Sequence, residues 1–214
     1  KELAEVITGI RRINSGQIEY QGRDIRKDSV KERFRAGISY ISDDRHGDSL
    51  VMDMTVEDNL ILRDFDREPF SRKMVLDYRQ AEKRAREALD EYNIKTSGKS
   101  GIKTPVKLMS GGNQQKVILS REISEKAGLI VASQPTRGLD IGATQFVHEI
   151  LLRQRDAGRC VLLISADLDE ILGVSDRIAV MYEGRIIGLL NRDEADVHKI
   201  GLLMGGIAKE AANE

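Results

Sequence analysis

The 214-residue sequence has no tryptophan, three prolines and a single cysteine, and its formal net charge is -1. One cysteine cannot form an internal disulfide, and its position in the apolar run 160–164 favours a buried, small hydrophobic side chain over a reactive thiol. The balanced charge gives no overall attraction for nucleic acid or for an anionic membrane. No apolar run approaches the roughly 18 residues of a membrane span, and we see no signal peptide. We therefore expect a globular protein of the cytoplasm.

The apolar residues make up 40% of the chain, which is enough for a core. Apolar runs at residues 129–132 and 161–165 flank a helical pattern at 143–156, and this order predicts a β-α-β unit. Because both runs are apolar throughout, we expect parallel strands that are buried on both faces. Residues 177–182 and 185–190 flank Glu183-Gly184, a pair typical of a two-residue hairpin turn. The pattern indicates an α/β fold with a small antiparallel region.

Further helices are predicted near the start of the chain, at residues 79–92 and at 193–204. The first has one apolar face, formed by Leu3, Val6, Ile7 and Ile10. The second has a stripe of small and apolar residues, formed by Ala81, Ala85, Ala88, Leu89 and Tyr92. Short strands are expected near 17–20 and 37–41, and Thr55 is a plausible N-cap for a helix that follows it.

A serine and two glycines, Ser110-Gly111-Gly112, precede a run that is predicted to be a helix. The Ser110 hydroxyl is suited to cap this helix, and the unpaired N–H groups of a helix N-terminus attract a phosphate. The same pattern also occurs in ordinary turns and caps. These three residues alone therefore leave both a phosphate-binding and a purely structural role open.

The segments around this loop resemble the nucleotide-binding domain of ATP-binding cassette transporters. The resemblance rests on Leu-Met-Ser-Gly-Gly-Asn-Gln-Gln at 108–115, on Pro-Thr-Arg-Gly-Leu-Asp at 135–140 and on Leu-Ile-Ser-Ala-Asp at 163–167. It implies a P-loop NTPase-like ABC ATPase fold, in which a mostly parallel sheet with flanking helices carries a small antiparallel β region and a helical subdomain. The signature loop would consist of Ser110, Gly111, Gly112, Asn113 and Gln114. The D-loop would consist of Gly138, Leu139 and Asp140.

The resemblance also divides the chain into four parts. Residues 1–54 would be the N-terminal part of the ATPase core with its β subdomain, and 55–109 the helical subdomain. Residues 110–190 would be the core with the signature loop, a degenerate Walker B strand, the D-loop and the switch, and 191–214 a helical tail.

The P-loop of this family is missing from the sequence. Its pattern needs a glycine five residues before Gly-Lys-Ser/Thr, between a strand and a helix, because the loop amides cradle the phosphates. The sole Gly-Lys-Ser, at Gly98, has Asn93 at that position and follows a predicted helix, so we reject it. The family layout places the P-loop just before Lys1. We therefore expect a chain truncated after its P-loop, whose strand and helix are incomplete.

Other nucleotide positions of the family are altered as well. Ser133 and Gln134 stand where the family carries an aspartate for Mg²⁺ and a glutamate that polarises water, and a glutamine cannot accept a proton from that water. Ala166 replaces the switch histidine, and Asp43 replaces a glutamine beside the triphosphate, which a carboxylate repels. No catalytic residue is intact in cis, and the chain alone is expected not to hydrolyse ATP. The three histidines, His46, His148 and His198, lack metal-ligand spacing, so we predict no metal site.

The intact signature loop has a different implication. In the resembled family this loop acts in trans on ATP held by a second cassette, here the N-terminal cassette of the same polypeptide. Asn113 replaces the more usual glutamine. ATP and Mg²⁺ would bind in the full transporter, at the inner face of the cell membrane, and none would bind to this chain by itself.

The residues of these motifs are similar to those in importers of simple sugars and nucleosides. Residues 146–148, 154–156 and 175–184 favour the nucleoside importers. The implied partners are transmembrane permease subunits, with no role for nucleic acid. Two alternatives stay open, a soluble ABC module without a permease and a non-catalytic scaffold. Asp43-Asp44-Arg45 would be a permease contact or a solvated turn, and Arg137 a contact to the partner cassette or a loop cap.

Overall fold

A computed structural model of the chain describes residues 1–96, 98–124 and 126–207. The chain forms two compact units, Lys1–Ile164 and Ser165–Glu214. The helices of the first unit are α1 (Glu2–Thr8), α2 (Val30–Arg35), α3 (Val56–Ile61), α4 (Tyr78–Glu91), α5 (Gly111–Glu122) and α6 (Ile141–Asp156). Its strands are β1 (Glu19–Tyr20), β2 (Arg23–Asp24), β3 (Ile38–Ile41), β4 (Ser71–Arg72), β5 (Val75–Leu76), β6 (Leu129–Ser133) and β7 (Cys160–Ile164).

The centre of the first unit is a three-stranded parallel sheet in the order β3-β6-β7. Strands β3 and β6 are buried on both faces, β7 is half-buried, and alternate residues point to opposite faces. Val131 belongs to the cluster on the α1 side, together with Ala4 and Ile38. Ile130 and its alternate neighbours belong to the larger cluster that includes the apolar residues of α5 and α6. The predicted β-α-β unit and its parallel strand pairing are confirmed. Burial is confirmed for β6, whereas β7 is only half-buried and its first residue is exposed.

The second unit contains α7 (Leu168–Val174), the antiparallel pair β8 (Arg177–Tyr182) and β9 (Arg185–Asn191), and α8 (Val197–Met204). Glu183 and Gly184 both have positive φ, as a two-residue hairpin turn requires. The hairpin prediction is confirmed. No helix among the described residues has the length and the apolar character needed to cross a membrane.

Some local predictions also hold. Thr55 caps α3, since its side chain accepts the Asp58 N–H, and the alanine stripe of α4 is buried. Two others are wrong. Helix α1 ends at Thr8 because Gly9, with a φ of 85°, terminates it, so Ile10 lies beyond the helix and is 52% exposed. Cys160 is exposed, because it is the first residue of β7 rather than an interior one.

Candidate nucleotide-contact site

The signature loop forms the N-terminus of α5, a helix of 12 residues. Ser110 is its N-cap, and the Ser110 Oγ accepts hydrogen bonds from the Asn113 backbone N–H at 3.4 Å and from Asn113 Nδ2 at 2.9 Å. Asn113 Oδ1 in turn accepts the Lys95 N–H at 2.8 Å. These hydrogen bonds fix the conformation of the loop. They leave Ser110 exposed at the positive end of the helix dipole, where a phosphate would be stabilised.

The signature loop touches the N-terminus of a second helix, α6. A Cβ atom on Gly112 would lie 3.0 Å from the Ala143 Cβ, so only a glycine permits this approach without a shift. Asp140 caps α6 by accepting the Ala143 N–H at 2.8 Å. The D-loop ends at this cap, and Gly138 in it has a φ of 69°. The structure therefore brings the predicted signature loop and the predicted D-loop to one surface.

Gln114 has its side chain inside the protein, at 4% exposure. Its Nε2 donates to the Val106 carbonyl at 3.0 Å, and its Oε1 lies 3.1 Å from His46 Nε2. With both ends of the amide occupied, Gln114 supports the loop from within. Its neighbours Ser110, Gly111 and Gly112 are the residues left to face a ligand.

The loop after β3 is held in place by its own side chains. Asp44 caps the π-helical turn Arg45–Ser49 and accepts the backbone N–H groups of His46 and Gly47. The hydrogen bond from Gly47 holds the pKa of the Asp44 carboxyl below its ordinary value. Arg45 Nη2 donates to the Arg137 carbonyl at 3.0 Å, and burial lowers the pKa of the Arg45 guanidinium. Asp43 and Arg45 are half-buried and Asp44 is exposed, so a permease contact and a solvated turn both stay open, and Arg137 has an exposed side chain.

The altered positions of the nucleotide site lie at the carboxyl end of the sheet. Ile41 pairs with Ala132 and Ser133 pairs with Ile164, so Asp43 and Gln134 each follow a strand end at the same edge. Ser133 is 1% exposed, and the Gln134 N–H donates to the Ile164 carbonyl at 2.8 Å. The carboxylate at this edge, Asp43, lies 3.3 Å from Lys1 Nζ and raises the pKa of that amine.

This edge does not fit Mg²⁺ and a triphosphate in cis. A hard divalent cation needs carboxylate or phosphate oxygens, and Ser133 supplies a buried hydroxyl instead. Asp43 adds negative charge where the phosphates would lie, and Lys1 is already engaged with it. Among the described residues there is no cluster of three or more His, Cys, Asp or Glu side chains that could hold a metal ion.

Two other sequence-predicted positions, Gly98 and Ala166, belong to different segments of the chain. Gly98 begins a 3-10 segment, Gly98–Lys103, that comes after α4 rather than after a strand. Ala166 belongs to the second unit and precedes Asp167, the N-cap of α7. The methyl group of Ala166 has no atom that could bond to a phosphate.

Sequence reasoning named Arg45, His46, Gln114 and Arg137 but missed the contacts between them. Arg45 and Arg137 are 92 residues apart in the chain, and His46 and Gln114 are 68 residues apart. Lys95 was no candidate. No local pattern signals such contacts, since they depend on which strand ends and helix ends meet in space.

Among known protein families, the family model "ABC transporter" matches residues 2–137 of this chain. The guanosine import ATP-binding protein NupO of Bacillus subtilis is 42% identical over 100% of this chain and 41% of its own length. The nucleoside import ATP-binding protein NupA of Lactococcus lactis is 40% identical over 96% and 40%. The ribose import ATP-binding protein RbsA of Clostridium perfringens is 38% identical over the same shares.

Solved structures agree on the fold. A nucleotide-free ATP-binding cassette from an ABC transporter superposes with a TM-score of 0.75 at 22% identity, over 99% of this chain and 82% of that one. The dimeric cassette MJ0796, bound to ADP and Pi, superposes with a TM-score of 0.72 at 18% identity, over 89% and 79%. This chain spans about two-fifths of the length of the curated relatives described above. The chain belongs to the ABC transporter family and has the α/β fold of its P-loop NTPase-type ATPase domain.

Proposed function

We propose that this chain is the degenerate second cassette in the ATP-binding subunit of an importer for nucleosides or simple sugars. The names of the relatives support the transport class, because NupO and NupA are guanosine and nucleoside import proteins and RbsA is a ribose import protein. Each relative is more than twice as long as the matched region, which leaves room for an N-terminal cassette.

The observation that carries the proposal is the contrast between two sites on one chain. At the carboxyl edge of the sheet, Ser133, Gln134 and Asp43 cannot hold or activate Mg-ATP. At the N-terminus of α5, Ser110 is exposed and the loop is braced by Asn113 and Gln114. The signature loop can bind a phosphate, whereas the cis site of the same chain cannot hold Mg-ATP. We therefore expect the loop to bind the phosphate of a nucleotide held by another domain.

The same proposal names the partners. ATP and Mg²⁺ would be held by the N-terminal cassette, and Ser110, Gly111 and Gly112 would close on the γ-phosphate. Gly138, Leu139 and Asp140 would meet the same cassette across the interface. Permease subunits would bind at the inner face of the membrane, near the loop that holds Asp43. A soluble ABC module and an inert scaffold are the competing functions, and neither needs a permease.

Nucleoside uptake is expected to depend on the complete protein. In cells that lack it, uptake of radiolabelled guanosine should fall about tenfold or more, whereas uptake of labelled ribose should not change, because the relatives of highest identity described above carry nucleosides in their names. Uptake is measured over the first minute and restored by the complete gene as a control. Loss of ribose uptake alone would assign the protein to sugars, and loss of neither would contradict the importer.

The 214-residue chain by itself is expected to bind Mg-ATP with a dissociation constant weaker than about 1 mM, since Asp43 repels phosphate and Ser133 gives the metal no carboxylate. Calorimetric titration of the purified chain checks this. Asp43→Asn is the matched variant: it removes the repulsion and is still expected to leave binding weak, because the P-loop amides are lacking. A micromolar dissociation constant for the unaltered chain would contradict the trans role.

A further inference from the structure

Arg45 lies between the two loops of the proposed interface. Its Nη2 donates to the Arg137 carbonyl at 3.0 Å and lies 3.4 Å from the position of a Cβ on Gly138. On the other side, Nη2, Cζ and Nη1 are 3.8, 3.9 and 3.9 Å from the position of a Cβ on Gly111. These nearly equal distances mean that the flat guanidinium faces the missing side chain of Gly111. One side chain thus spans the signature loop and the D-loop.

The guanidinium is poorly compensated in this position. Its Nη1 is buried without a hydrogen-bond partner, and no carboxylate in the described part of the chain forms an ion pair with it. Positive charge beside a helix N-terminus is also unfavourable, because the N–H groups there carry the positive end of the dipole. Buried donors are ordinarily paired, so the unpaired Nη1 of this half-buried side chain needs a reason other than stability.

The loop that carries Arg45 is itself anchored to α5 at two points. His46 Nε2 meets Gln114 Oε1 near the start of the helix. Arg121 Nη2, near its end, donates to the Ser49 carbonyl at 2.7 Å. The turn Arg45–Ser49 therefore lies along α5, and Arg45 extends from it to the D-loop. Movement of this turn would shift the signature loop and the D-loop together.

We propose that Arg45 is a positioning residue that fixes the D-loop against the signature loop, so that both meet the nucleotide of the partner cassette as one surface. This inference rests on the proposed trans role of Ser110. The guanidinium does so by shape: its plane faces Gly111 while its edge donates to the Arg137 carbonyl, directly before the D-loop. A lysine has the charge but not the planar fork, so it cannot make both contacts at once.

The test uses the complete subunit with its permease and compares Arg45→Met and Arg45→Lys with the matched control Arg86→Met. Arg86 is 66% exposed on α4 and pairs with Glu82, away from both loops. Both Arg45 variants should lower kcat for ATP about tenfold with an unchanged KM, because the partner cassette holds the substrate while the loops act on closure. Arg86→Met should change neither value.

A second measurement separates positioning from general damage. Hydrogen–deuterium exchange of the complete subunit should rise in Arg45→Met only in the peptides that cover residues 110–113 and 136–140, with an unchanged Tm. Full turnover in Arg45→Lys, exchange that rises throughout the chain, or no rise in either loop would overturn the inference. Ser110→Arg in the same assay tests the proposed function separately: if it leaves turnover intact, the trans role fails, and if it abolishes turnover while the Arg45 variants do not, only the role of Arg45 fails.

Discussion

In the complete subunit, Ser110→Arg is expected to lower ATP turnover about 100-fold or more, the size of effect seen when a donor to a developing negative charge is lost. The arginine side chain would replace the Oγ and cover the N–H groups of Gly111 and Gly112, at the place where the γ-phosphate of the partner cassette would arrive. The cis site of this chain offers no substitute, because Ser133 and Gln134 have no carboxylate. Turnover is measured by phosphate release from the complete importer in liposomes.

The matched control for this change is Ser29→Arg. Ser29 caps α2 through its own capping box, so its replacement removes an equivalent cap far from the signature loop in sequence. Both variants should lose about 1 kcal/mol of stability from the missing cap, and only Ser110→Arg should lose turnover. Ser110→Ala, which leaves the space open, should show an intermediate loss of about tenfold. Equal turnover in Ser110→Arg and Ser29→Arg would favour the inert scaffold.

Glu122→Ala is expected to lower the free energy of unfolding by about 3–5 kcal/mol, which corresponds to a fall in Tm of about 10 °C for a chain of this size. The Glu122 side chain is fully buried, and its Oε1 accepts from Arg63 Nε at 3.1 Å and from Arg121 Nε at 2.8 Å. Truncation would leave the buried guanidinium of Arg121 without its carboxylate. Urea and thermal unfolding, followed by circular dichroism, measure the change.

An exposed ion pair supplies the control for Glu122. Glu82 pairs with Arg86 one turn along α4, and both side chains are largely in solvent. Glu82→Ala should therefore leave the unfolding temperature nearly unchanged. Glu122→Gln keeps the shape and one acceptor, and its cost should fall between the two. If Glu122→Ala and Glu82→Ala unfold at the same temperature, the buried pair does not hold α5 in place.

The replacement of Glu122 should also affect the candidate site. Arg121 bonds to the Ser49 carbonyl at the end of the turn that begins with Arg45. The end of α5 thus supports the turn from which Arg45 meets the D-loop. The contacts that stabilise the end of α5 also position the turn that carries Arg45. The role of Arg45 therefore has to be tested with a variant that leaves Tm unchanged.

Features that depend on neighbouring residues could be predicted from the sequence. The caps at Thr55 and Ser110 are confirmed, because a cap bonds to an N–H three residues ahead. The Glu183-Gly184 turn is confirmed because positive φ at both positions is a property of the turn itself. The apolar runs of β6 and β7 predicted a parallel sheet, since such strands need two covered faces.

The exact bounds of some elements were not predicted. Cys160 was expected inside because its neighbours are apolar, yet the strand begins at that residue and leaves it exposed. Ile10 fits the helical period of α1, but Gly9 ends the helix before it. In both cases the pattern of apolar residues was read correctly and the bounds of the element were not.

The sequence alone determined the α/β class, the resemblance to the ABC family and the positions of the signature loop and the altered cis residues, because each of these is written in contiguous residues. Only the tertiary structure decided that Gln114 faces inward and that Arg45 joins Gly111 to the D-loop. Those contacts arise where strand ends and helix ends converge after the sheet has set its register. A contact between residues 92 positions apart produces no periodic pattern in the sequence.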